Sequence, residues 1–87
     1  MAAATAVRLT AHGASMMHQR RVLLQWVEDT LRDPMILRPD AKDGTLKLAF
    51  RKIPEAGERW LRVVYRLEGN THIIVTAFFD RDQEKRK

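Results

Sequence analysis

Polar and apolar residues alternate with two different periods along this chain, and the period changes near Pro34. In the first part, His12, Met16 and Arg20 recur every fourth residue with Met17 beside them, the spacing of one helical stripe. Thr10 offers a side-chain oxygen for an N-cap, so the first helix is expected from there to about Arg20 or Arg21. Val22-Leu23-Leu24 interrupts the polar pattern as a short connection. Leu24, Val27 and Leu31 then form an apolar stripe that predicts a second helix over residues 24–33, with Trp26 off the stripe and covering the helix pair. Pro34 stops it, because the residue before a proline is pushed out of the helical region. Both helices are too short to persist alone and need a larger surface to pack on.

After Pro34 the period shortens to two. Residues 35–38 read as a short edge strand ended by Pro39, and residues 40–44 as a polar turn. Residues 45–53 set Leu46, Leu48 and Phe50 against Thr45, Lys47, Ala49 and Arg51, the alternation of a half-buried strand. Residues 54–57 make the next turn. From Trp60 to Asp80, two runs rich in Val, Ile, Tyr, Phe and Thr flank a Gly69-Asn70 turn. The expected fold is α+β, with two N-terminal helices packed on one face of a four-stranded antiparallel β-meander. Residues 1–8 are expected as a flexible segment, 9–81 as the single domain and 82–87 as a charged tail. A chain of 87 residues can bury one core and not two.

The register of the last hairpin decides which residues share a face, because a slip of one residue exchanges the faces. A two-residue Gly69-Asn70 loop places Tyr65 on the same face as Ile74. A three-residue loop, Leu67-Glu68-Gly69 with a left-handed Gly69, instead aligns Val63 with Ile73 and Leu61 with Val75. The apolar alternation favours the three-residue loop. It gathers Leu46, Leu48, Phe50, Leu61, Val63, Tyr65, Ile73, Val75, Ala77 and Phe79 under the helices. The opposite face then carries Lys47, Arg51, Trp60, Arg62, Arg66 and His72, with Val64, Ile74, Thr76 and Phe78 among them.

Charge gives that second face a meaning. The net charge of +5, from 16 basic and 11 acidic residues, favours acidic partners such as RNA or an acidic protein. Guanidinium groups meet phosphates and aromatic rings stack bases, so Lys47, Arg51, Trp60, Arg62, Arg66 and His72 are candidate RNA- or partner-binding residues. Two other readings stand beside this one. The face is a solvated surface whose Lys and Arg stems cover Val64 and Ile74, or its apolar residues form a homodimer interface.

Other chemistries find little support. There is no cysteine, which excludes disulfides and thiolate metal sites. The three histidines are dispersed and the carboxylates lack ligand spacing, so neither a metal nor a cofactor is expected. No P-loop or glycine-rich fingerprint occurs. No apolar run approaches the ~20 residues that span a bilayer, and neither helix is long and basic on one face. The expected setting is cytoplasmic, away from membranes.

The run His12-Gly-Ala-Ser-Met-Met-His-Gln-Arg20-Arg-Val22, then Trp26-Val27 and Leu31-x-x-Pro34, resembles the opening of the DUF4258 family. Trp60-Leu-Arg-Val-Val-Tyr and Ile73-Ile-Val-Thr-Ala-Phe-Phe-Asp-Arg81 resemble its closing hairpin, so the likeness runs over residues 9–81. His12, Met17 and Arg20 match the family's helix pattern, whereas Gly13 and Met16 stand where it has an Ala and an Arg. The family is similar in layout to the RelE-like and BrnT-like toxins of bacterial toxin–antitoxin pairs. That resemblance implies a bacterial origin, a cognate antitoxin as partner, and metal-independent endoribonuclease activity on messenger RNA. In that reading His12 is the acid or base and Arg20, or else Arg62 and Arg66, the phosphate clamp, since RNA cleavage needs both. The alternatives for these two residues are a local backbone hydrogen bond for His12 and an ion pair of Arg20 with Glu28 or Asp29. The alternative for the whole chain is a non-catalytic interaction module that dimerises or binds a protein through its exposed sheet face.

Overall fold

The computed structural model describes residues 6–85. It is α+β, with a five-stranded mixed sheet and three helices: β1 (Ala6–Leu9), α1 (Ala11–Arg20), α2 (Leu24–Arg32), β2 (Ile36–Pro39), β3 (Lys47–Ile53), β4 (Arg59–Glu68), β5 (Thr71–Phe79) and α3 (Arg81–Lys85). The strand order is β1-β5-β4-β3-β2. β2 to β5 form the expected antiparallel meander, and β1 adds a fifth strand parallel to β5. Ala6–Leu9 is too short, with Val7 and Leu9 its only large apolar residues, to show as a strand in isolation; pairing with β5 makes it one. Residues 1–5 of the segment expected as flexible lie outside the described residues, as do residues 86–87 of the tail.

The two predicted helices form with nearly the expected limits. Thr10 caps α1: its hydroxyl accepts from the Gly13 N–H at 2.9 Å. The same hydroxyl donates to the Ile74 carbonyl at 3.0 Å, and the Thr10 N–H reaches that carbonyl at 3.1 Å. One residue therefore starts the helix and fastens it to β5. α1 ends at Arg21, which is left-handed (φ 54°) and whose N–H bonds back to the last turn. An L side chain is strained there and glycine is not, so Arg21→Gly is expected to stabilise the fold by about 0.5–1 kcal/mol. The check is a thermal melt, which should rise by a few degrees; an unchanged or lower Tm contradicts the strain.

α2 buries Val27 and Thr30; of the expected stripe, Val27 is in the core and Leu31 packs against it, while Leu24 at its start is exposed. Thr30 is tolerated inside because its hydroxyl donates to the Trp26 carbonyl at 2.7 Å. Trp26 meets Phe79 edge-on, with ring centroids 5.9 Å apart.

Two corrections to the register follow from the pairing. The hairpin turns on Gly69-Asn70 with Glu68 opposite Thr71, so Tyr65 faces Ile74 and not the residues expected of a three-residue loop. Gly69 takes φ 61° at the first loop position, which a type II′ turn reserves for glycine. A bulge at Val75 then restores the other alternation, pairing Val63 with Ala77 and Leu61 with Phe79. Ile74, Ala77 and Phe79 thus all face the helices, whereas Ile73 faces away.

The second correction concerns β3. Ala49 and Ile53 pack under the helices, and Leu48 and Phe50 lie on the far side with Val64. A small residue suits the strand over which α2 passes, while Phe50 needs the room that the far side gives it. The main core holds Met17, Val22, Val27, Ala49, Ile53, Leu61, Val63, Tyr65, Ile74 and Ala77.

Candidate nucleic-acid interface

The face of the sheet turned away from α1 and α2 is organised around Arg62. β4 places it opposite Phe50 on β3 and Phe78 on β5. Its guanidinium carbon lies 5.8 Å from the Phe50 centroid and 5.4 Å from that of Phe78. One guanidinium nitrogen donates to Asp80 Oδ2 at 3.3 Å. The other Asp80 oxygen accepts the N–H groups of Asp82 and Gln83, so the same carboxylate starts α3 and anchors Arg62.

Around this centre lie further cations. Arg66 donates to Glu68 at 3.0 Å, and Arg8 of β1 comes within 3.9 Å of the same carboxylate. Lys52 sits over Trp60, 5.8 Å from the ring centroid, and Arg38 of β2 sits over Phe50 at 5.0 Å. The face therefore carries Arg8, Arg38, Lys52, Arg62 and Arg66 against the carboxylates of Glu68 and Asp80.

Of the six residues expected here, Trp60, Arg62 and Arg66 are present and Lys47, Arg51 and His72 are not. The inverted register of β3 sends Lys47 and Arg51 to the helix side, opposite Tyr65 and Leu61. Arg51 is engaged there at the end of α2, donating to the Asp33 carbonyl at 2.8 Å and its carboxylate at 3.3 Å. The two-residue Gly69-Asn70 turn likewise puts His72 on the helix side, opposite Leu67, where its ring lies 5.1 Å from that of Tyr65. His72 Nδ1 is buried without a hydrogen-bond partner, and burial pushes the Tyr65 phenol above its usual range. Tyr65 is therefore neutral at physiological pH and offers no base.

His12 and Arg20 are not brought together. His12 stands in the first turn of α1 and Arg20 in the last, eight residues and about 12 Å apart along the axis, both exposed. α1 covers the face opposite to Arg62. Arg20 makes no ion pair with Glu28 or Asp29 among the described residues; Asp29 instead takes Arg32 and Gln25. No group of three His, Cys, Asp or Glu side chains among the described residues gathers as a metal site. No helix among them is long and apolar enough to cross a membrane.

The order of these elements has a counterpart in the family comparison, where the model of a domain of unknown function, DUF4258, matches residues 9–79. The chain belongs to the DUF4258 family. No curated protein and no solved structure matches it. The match starts at the last residue of β1 and ends with β5, so the DUF4258 region contains α1, α2 and the whole meander, while α3 lies beyond it.

Arg8, Arg38 and Lys52 of this DUF4258 chain were not legible as members of the face. Arg8 belongs to the strand that only pairing reveals, and Lys52 reaches the face through the β3 register. Arg38 was visible as an edge-strand cation, but only the pairing of Ile36 with Phe50 puts it beside Arg62.

Proposed function

We propose that this DUF4258 domain binds RNA through the sheet face that its helices leave uncovered. The observation that carries the reading is the interleaving on that face of Arg8, Arg38, Lys52, Arg62 and Arg66 with Trp60 and Phe78. Cations placed among aromatic edges suit a flexible polyanion whose bases can stack, since stacking adds affinity without demanding a sequence.

Exposure favours RNA over a second protein. Phe50, Leu48, Val64 and Ile73 on this face are buried, and Ile36, Trp60, Val75 and Phe78 are half-buried, so its apolar residues are at least partly covered. The large exposed apolar residues are Leu9, Leu23, Leu24, Met35, Leu37 and Leu67. By register Leu9, Leu37 and Leu67 belong to the helix side, and the other three lie outside the strands. Binding without cleavage is the part of the RNA reading that the geometry supports, because His12 and Arg20 lie on an element of the opposite face.

The test is fluorescence anisotropy with a short single-stranded RNA at rising salt. Binding is expected to weaken with a log–log slope of about −0.7 for each phosphate contacted. Lys52→Gln and Arg66→Gln are each expected to make that slope shallower by about 0.7. Affinity that does not change between low and moderate salt, or slopes untouched by both substitutions, would remove this reading. His12→Ala and Arg20→Ala should leave binding unaltered.

A further inference from the structure

Beside Arg62 the face is not flat. A cleft of ≈ 550 Å³ opens between β2, the loop after it and β4, lined by Arg38, Pro39, Asp40, Ala41, Lys42, Leu48 and Arg62. We infer that this cleft holds one nucleotide unit, its phosphate on Arg38, Lys42 and Arg62 and its sugar and base against the exposed Pro39 and Ala41. This rests on the RNA reading for the source of the nucleotide but not for the site.

Three observations lead here. First, the charge is uncompensated: Arg38 and Lys42 have no carboxylate partner among the described ion pairs, and Arg62 has only Asp80. Asp40 is the single carboxylate in the lining, and its Oδ2 is occupied by the N–H groups of Lys42 and Asp43 at 2.9 and 2.8 Å. Second, the cations are held in place before any ligand arrives. Arg38 and Arg62 both rest on the Phe50 ring; the exposed Arg38 offers its planar N–H edge to a phosphate, while Arg62, with one nitrogen on Asp80 and its Nε buried, adds its charge beside it. Lys42 is carried by a loop whose turn Asp40 closes, and that loop is tied again where Asp43 accepts from the Thr45 N–H and hydroxyl at 2.9 and 2.6 Å. These bonds hold the Asp43 carboxyl below the usual carboxylate range. Third, the volume falls within the range of small-ligand sites, so it suits a nucleotide better than a bare ion.

The same phosphate chemistry comes from a free mononucleotide or from one unit of an RNA chain. Isothermal titration with 5′-AMP, with adenosine as the control lacking phosphate, and with a short RNA separates the two. The chain is used whole, as wild type and as the Arg38→Gln, Lys42→Gln double variant; both positions are exposed, so the fold is retained. Expected for the double variant is a loss of about tenfold in affinity for 5′-AMP or for RNA, with adenosine unbound by wild type. Loss for 5′-AMP assigns the cleft to mononucleotides, even where the chain binds no RNA and the outer-face reading falls. Loss for RNA alone, without 5′-AMP binding, assigns it to a unit of the polymer. Equal affinity of wild type and double variant for both ligands overturns the cleft, and leaves the outer face standing if RNA still responds to Lys52→Gln and Arg66→Gln. Adenosine binding as tightly as 5′-AMP also overturns it, since the phosphate would then contribute nothing.

Discussion

Arg62→Glu is expected to destabilise the domain by about 4 kcal/mol. The Asp80 side chain is 10% exposed and that of Arg62 29%, so this pair is mostly shielded from water. Asp80 cannot turn away from a new carboxylate, because its second oxygen holds the start of α3. Removing one partner of a buried pair costs about 3–5 kcal/mol, and the residual exposure of Arg62 argues for the lower end. The contacts with Phe50 and Phe78 are lost as well, at roughly 0.5–1 kcal/mol each. A loss of about 4 kcal/mol is a large share of the 5–15 kcal/mol that small domains possess. Urea unfolding measures it directly, with Arg62→Met as the partner variant that keeps the stem over the rings but removes the charge. Arg62→Met should be less destabilised than Arg62→Glu, the difference being the repulsion from Asp80. A change below about 1 kcal/mol for Arg62→Glu would mean that the pair behaves as an ordinary surface pair. The consequence for function is practical: loss of RNA binding in Arg62→Glu says nothing about RNA, which is why Lys52 and Arg66 serve in the binding test.

Gly13→Ala is the second large effect. A Cβ at Gly13 would lie 2.5 Å from the Ile74 carbonyl oxygen and 3.1 Å from Thr10 Oγ1. Neither neighbour can move freely. The carbonyl belongs to β5 at the edge of its bulge and accepts both the Thr10 N–H and the Thr10 hydroxyl. Alanine gains about 1 kcal/mol of helix propensity over glycine, but forcing α1 off the sheet costs about 1–3 kcal/mol and strains the N-cap. The expected outcome is a net loss of about 2 kcal/mol, which lowers the Tm of a domain this size by roughly 10 °C. Gly13→Ser should be equally costly, since its Cβ meets the same oxygen. A Tm equal to or above that of the wild type would show that α1 slides on β5 at little cost.

Some elements were legible because their causes are local. Thr10 starts α1 by its own side chain, Pro34 follows the end of α2 by its own ring, and the Val- and Ile-rich runs around Gly69-Asn70 pair as a hairpin by propensity. Tyr65 and Leu61 were rightly read as facing the helices, since β4 alternates cleanly. β3 does not: Leu48 and Phe50 compete with Ala49 and Ile53 for the core, and residue size loses to the closeness of α2. In β5 an unbroken alternation of Ile73, Val75, Ala77 and Phe79 pointed to one face, and the bulge at Val75 divided it. The candidate site suffered accordingly, keeping Trp60, Arg62 and Arg66, losing Lys47, Arg51 and His72, and gaining Arg8, Arg38 and Lys52.

By itself, then, the sequence determined the class of fold, the positions of both N-terminal helices, the meander and the excess of positive charge. Each follows from interactions between residues a few positions apart. Only the tertiary structure decided the fifth strand, the faces of β3 and β5, and which cations stand together around Arg62. The physical reason is the side-chain period of two in a strand: one residue of bulge or slip reverses every face beyond it, and that residue is placed by partners far away along the chain.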